Sequence, residues 1–201
     1  SHMKGAREVV ILNPGLVGLI SHEAIGHTVE ADLVKSGSPV SDKFGKKAVS
    51  ELVTLIDSGR SERVSGAAGT IPADDEGVIA GKTTIIEKGI VKGFLFDREN
   101  AHLFGMDPTG NARAFEYTDE PIVRMRNTYI EPGDWKLDEM IRDTKSGYLL
   151  IGALNGEADS NSEFMFAVQE ELEIANGELG RTYLGVVISG NDFEVLSTVY
   201  A

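Results

Sequence analysis

The 201-residue chain contains no cysteine. That excludes disulfides and removes thiolate from the available metal ligands. Histidine is scarce, at four residues, so imidazole chemistry must come from very few positions. Basic residues are outnumbered, 19 Lys and Arg against 32 Asp and Glu, which gives a formal net charge of −13. Phosphate contacts need a basic footprint, so direct nucleic-acid binding is not expected. No apolar run approaches the roughly 18 residues that a transmembrane helix requires. No secretory signal is visible either, and no membrane association is expected. Low-complexity segments and clear internal repeats are also missing.

What is present is the composition of an ordinary folded chain: 41% apolar and 25% charged residues. The length suits one domain with a sizeable core. Ser1-His2-Met3 reads as an expression-tag remnant, so His2 is set aside, and residues 4–201 are expected to form a single domain.

Residues 21–32, SHEAIGHTVEAD, hold His22, Glu23 and His27 within six positions. The cluster differs by one inserted residue from the H-E-x-x-H zinc-protease signature, in which two helical histidines bind zinc and the Glu is the general base. An α-helix turns about 100° per residue, so imidazoles five apart diverge by about 140°. Two readings follow. A π-type widening to about 4.4 residues per turn would bring them back to about 50°, with Gly26 supplying backbone freedom. Alternatively the helix is regular, and Glu23, His27 and Glu30 share a face, as a polar surface or a carboxylate-rich site for a harder ion.

The periodicity of Leu16, Leu19, Ile20 and Ala24 predicts a helix over 15–36, opened by Pro14 and closed by Gly37. Strands are expected at 50–57 and 127–130, and at 83–87 and 90–96 as a hairpin across Lys88-Gly89. The run 164–174 alternates Phe164, Phe166 and Val168 on one face and meets Asn176-Gly177, a hairpin signal, before a strand at 183–189. Short helices are expected at 137–143 and after Asn191, which has Glu194 three positions on. The sum is an α+β fold: a curved, barrel-like antiparallel β-sheet, one long helix bearing the histidines, and short additional helices.

Other candidates are weaker. Asp74-Asp75-Glu76-Gly77 reads as a solvated acidic turn, or else as an edge of the active-site cleft or a weak cation site. His102 reads as a structural histidine. Gly105, Gly110, Asn111 and Arg113 suggest a loop near the site, with Arg113 either pairing a substrate carboxylate or backbone or forming an internal ion pair. Glu30 and Asp32 either orient the histidines from behind or form a charged helix end. Phe164 and Phe166 read as core, although an edge of their sheet could take a peptide by strand addition.

Motifs in a fixed order then extend over nearly the whole chain: SHEAIGHTVEAD at 21–32, PADDEG at 72–77, and IIEKGIVKGFLFDRENAHLFGMDPTGNAR at 85–113. RMRNTYIEPGD at 124–134, GYLLIGALNGEADSNSEFMFAVQEELEIANGELG at 147–180 and GVVISGNDFEVL at 185–196 continue the series. Together they resemble the C-terminal, catalytic half of the TldD/PmbA family, at its TldD-like end. The resemblance implies a cytoplasmic zinc-dependent peptidase acting on unstructured peptides, linked to modulation of DNA gyrase. It also implies pairing with a homologous PmbA/TldE-like subunit, or a homodimer. On this sequence His22 and His27 would be zinc ligands, and Glu23 the base that activates water. The family's third ligand is a cysteine in a C-terminal C-G-K segment, and this chain has none. The expectation is therefore a truncated catalytic domain with weak or absent zinc binding and little activity by itself. The rival expectation is a non-catalytic peptide-binding or partner-subunit scaffold of the same family.

Overall fold

The computed structural model describes residues 7–60, 62–158 and 162–201; the expected tag remnant lies outside them. In chain order the elements are β1 (Val10–Leu12), α1 (Pro14–Ile20), a π-helical turn (Ser21–Gly26), a 3₁₀ turn (His27–Val29), α2 (Ala31–Lys35), β2 (Leu55–Ser58), β3 (Lys82–Glu87) and β4 (Ile90–Val91). They continue as α3 (Arg98–Phe104), β5 (Ala112–Arg113), β6 (Ile122–Val123), β7 (Asn127–Ile130), α4 (Leu137–Asp143), β8 (Ser146–Ala158), β9 (Glu163–Ala175), β10 (Glu178–Asn191) and α5 (Asp192–Ser197).

The class is α+β, as expected, but the strands do not form a barrel. They form two open four-stranded sheets, ordered β1-β8-β9-β10 and β4-β3-β2-β7, and a small β5-β6 pair. All pairings are antiparallel except β1 with β8. The β9–β10 hairpin turns at Asn176-Gly177, both at positive φ (51° and 81°), the conformation that this dipeptide favours. Phe164, Phe166 and Val168 point into the core as their alternation requires.

The single long helix is the main correction. Residues 14–35 form α1, a π turn, a 3₁₀ turn and α2 in succession, and the helical path breaks at Glu30, which is extended (φ −65°, ψ 125°). The cause is pairing with a distant segment. Leu95 N–H donates to the Val29 carbonyl at 2.9 Å, and Ala31 N–H donates to the Leu95 carbonyl at 3.0 Å. Glu30 is thereby stitched beside Leu95 as a one-residue parallel bridge. An α-helix cannot continue through a residue whose neighbours' polar groups are bonded sideways.

The composite segment lies between the two sheets. Ile20, Ile25, Val29 and Val34 pack in one cluster with Leu55, Ile85, Ile86, Val91 and Leu95, and with Phe164 and Phe166 of β9. The two phenylalanine rings stack at 5.2 Å. Burial of this stripe on both sides packs the π turn into the core through Ile25.

Gly26 has ordinary helical dihedrals (φ −55°, ψ −45°), so backbone freedom is not why a glycine stands there. A Cβ at this position would overlap the sulfur and terminal methyl of Met125, and would also approach the Ser21 carbonyl. Met125 is 6% exposed and has little room to yield. Gly26→Ala is expected to cost about 1–3 kcal/mol of stability through overpacking. A urea-unfolding midpoint equal to that of the wild type would contradict this.

Candidate metal centre

Of the two helix conformations weighed from the spacing, the widened one is found. The π turn Ser21–Gly26 carries His22 and Glu23 and hands over directly to His27. The His22 and His27 rings lie 5.2 Å apart, centroid to centroid, edge against face. A regular helix would have turned them apart. Ser21 anchors the start of the turn, its hydroxyl donating to the Val17 carbonyl at 2.7 Å.

Two carboxylates approach His27 from different sides. Glu23 Oε2 is 3.8 Å from Nε2, and Glu30 Oε2 is 3.4 Å from Nδ1. His27 and Glu23 are part-exposed, whereas Glu30 is 1% exposed. The hydrogen bond to Glu30 raises the His27 pKa above the ordinary imidazole value; burial opposes the rise, and the Glu30 and Glu23 charges add to it. Because Glu23 and Glu30 face opposite ring nitrogens, a single ion on His27 cannot collect both. That argues against the carboxylate-rich alternative built on Glu23, His27 and Glu30.

The donor set tests whether zinc fits. Two imidazoles on adjacent turns, one with Nδ1 already engaged by a carboxylate, are the kind of ligands that zinc takes. A catalytic zinc usually takes three protein ligands. Among the described residues no group of three or more His, Asp or Glu side chains is arranged to hold a metal. The pair therefore fits zinc as part of a site and does not complete one.

A three-residue segment between β6 and β7 supports the turn, and sequence reasoning missed it. Arg124 reaches Glu30 Oε2 at 3.2 Å, and Met125 packs on Gly26. Arg126 N–H donates to Asp57 Oδ1 at 2.8 Å. Asp57, at 2% exposure on β2, also accepts from Thr128 Oγ1 at 2.9 Å and from Asn111 Nδ2 at 2.8 Å. Burial raises the Asp57 pKa, and these hydrogen bonds act against that rise. Asn111 joins the two ends: its amide donates to the Arg124 carbonyl, and its own carbonyl accepts from Arg124 N–H. The sequence signal for this clasp is faint, an Asp closing the apolar run LVTLI.

The remaining candidates separate. Asp32 Oδ1 accepts from the N–H of neighbouring Leu33 and does not reach the histidines. Arg113 is exposed on β5 opposite Ile122, and none of the described polar contacts of His22, Glu23, His27 or Glu30 involves it. The arginine that meets the cluster is Arg124. Asp74 is buried rather than solvated. Its carboxylate accepts from the N–H groups of Glu76, Val78 and Ala112, which makes it the organiser of its turn. His102 is exposed on α3 beside Ala101 and Met106, away from the pair. No helix among the described residues is long and apolar enough to cross a membrane.

The sequence matches the PmbA/TldA metallopeptidase C-terminal domain over residues 6–201. A metalloprotease of Methanocaldococcus jannaschii is 45% identical over 194 residues, covering 96% of this chain and 42% of that protein. A zinc metalloprotease TldD homolog of Saccharolobus solfataricus is 38% identical over 196 residues, covering 98% and 44%. The crystal structure of TldE from Thermococcus kodakarensis superposes with a TM-score of 0.79 at 29% identity, covering 93% of this chain and 42% of that one. The chain thus spans less than half the length of the relatives it matches.

Proposed function

Because the chain belongs to the TldD/PmbA metallopeptidase family, we propose that it is the catalytic half of a longer zinc-dependent peptidase that hydrolyses peptide bonds in unstructured substrates. The observation that carries the reading is the convergence of His22 and Glu23, on the π turn, with His27, which opens the next turn: the rings are 5.2 Å apart and the Glu23 carboxylate is 3.8 Å from His27 Nε2. His22 and His27 would hold the metal, which when bound polarises a carbonyl and acidifies water. Glu23, beside the ligand nitrogen, takes the proton from the attacking water and returns it to the leaving amine. Glu30 holds His27 by its other nitrogen.

The Saccharolobus relative is a zinc metalloprotease homolog, and the donor set here suits zinc. The fold shared with TldE supports association with a PmbA/TldE-like subunit or with a second copy. A cytoplasmic location for the whole protein belongs to the same proposal.

Zinc content is the test. The longer protein is expected to hold about one zinc per chain, and residues 1–201 alone far less, because two imidazoles are fewer ligands than catalytic zinc sites use. Near-stoichiometric zinc on the 201-residue chain by elemental analysis would contradict the missing-ligand argument.

A further inference from the structure

Glu30 is more than a neighbour of the metal pair, because it is itself held. Its Oε2 is shared between His27 Nδ1 at 3.4 Å and the Arg124 guanidinium at 3.2 Å. Its Oε1 is buried and, among the described residues, has no hydrogen-bond partner. Arg124 is fixed in turn. The same guanidinium nitrogen donates to the Val123 carbonyl at 2.7 Å, and Arg124 N–H donates to the Asn111 carbonyl at 2.8 Å. Asn111 is tied to buried Asp57. A continuous polar path therefore runs from β2 through Asn111, Arg124 and Glu30 to His27, joining residues 94 positions apart at the Glu30–Arg124 step. His22 has no such support: among the described residues no carboxylate lies within ion-pair distance of it.

We propose that Arg124 is a positioning residue for His27, acting through Glu30. By fixing the buried carboxylate with Oε2 toward Nδ1, it makes His27 carry its proton on Nδ1 and present Nε2 on the side of Glu23. The inference rests on the reading of His27 as a zinc ligand. A buried carboxylate stays in place by its partners. With Oε1 unpartnered, the two contacts on Oε2 decide where Glu30 points. Without Arg124, His27 is the one partner of Glu30 left among the described residues, and the carboxylate loses the contact that turns it inward. Outer partners of metal-binding histidines set tautomer and ring orientation in this way, and losing one typically weakens metal binding about 10–100-fold.

The test uses the full-length protein, metal-free and labelled with ¹⁵N-histidine. Long-range ¹H–¹⁵N correlation reads which nitrogen of His27 carries the proton, and competition with a chromophoric chelator gives the Zn²⁺ affinity. Wild type is expected to show Nδ1–H. Arg124→Gln is expected to mix the tautomers and weaken zinc about 10–100-fold, and Arg124→Lys, which restores a cation, to recover most of the loss. An Arg124→Gln protein with unchanged tautomer and zinc affinity within about twofold of wild type overturns the proposal. Should that variant fail to fold, Glu30→Met removes both oxygens at similar volume, and an unchanged His27 tautomer there overturns the proposal equally. The tautomer is read without metal. A wild type that binds no zinc therefore refutes the peptidase reading, while the Arg124 link is still decided by the tautomer.

Discussion

Glu23→Gln in the full-length protein is expected to leave zinc content unchanged and to lower peptide cleavage by about 10²–10⁴-fold, the usual worth of a positioned general base. Gln matches Glu in shape, so the π turn and the imidazole pair are undisturbed. What is lost is an oxygen able to take a proton. The position supports that role: Glu23 neighbours His22 in sequence, and its carboxylate lies 3.8 Å from the His27 nitrogen that faces away from Glu30. Kinetics on an unstructured peptide, beside elemental analysis of the same preparation, separate chemistry from metal loss. Cleavage within about tenfold of wild type would show that another group takes the proton.

Asp57→Ala is expected to remove about 3–5 kcal/mol of stability, a large part of the roughly 5–15 kcal/mol typical of a domain. Three donors end on this one buried carboxylate: Arg126 N–H, Thr128 Oγ1 and Asn111 Nδ2. Each donor left unpaired in the interior costs about 1–3 kcal/mol. Asp57→Asn keeps an acceptor oxygen in place and should lose less. Urea unfolding measures both, and a loss below about 1 kcal/mol for the alanine variant would mean that water replaces the carboxylate. The clasp holds the segment carrying Arg124 and Met125 against the π turn, so the damage should spread to metal affinity.

Local chemistry was legible in the sequence, and pairing between distant segments was not. β7 and α4 are found at the residues expected, Asn127–Ile130 and Leu137–Asp143. Their ends are written in nearby turn and cap residues. Asn191 caps α5, accepting from Glu194 N–H as its spacing indicates. β8 was missed. Gly147, Gly152 and Gly156 break up its apolar pattern, and its register shifts between Ala153 and Asn155. α3 was missed because its cap, Asp97, follows directly on the buried run of Phe94, Leu95 and Phe96, which reads as strand. The expected strand at 90–96 proved to be two residues, Ile90–Val91. Beyond it Leu95 bonds Val29 and Ala31, and that same pairing ends the helix at Glu30.

The site divides along the same line. The spacing His22–His27 left a widened and a regular helix open, and the widened one is found, because a regular helix cannot bring these two rings together. Gly26 was the right residue for a different reason: it makes room for Met125, 99 positions away, rather than bending the backbone. Arg124 and Asp57 could not be assigned from sequence. Their partners are set by how β2, β6 and β7 come together, and Arg113 was an equally good arginine by composition alone.

At the centre of the proposed function, His22 and His27 are metal ligands on adjoining turns. This assignment is met most directly by elemental analysis of the full-length protein beside its His22→Ala and His27→Ala variants. About one zinc per chain in the wild type and a small fraction of that in either variant is the expected result. Zinc retained at the wild-type level after both substitutions would place the metal elsewhere and contradict the account.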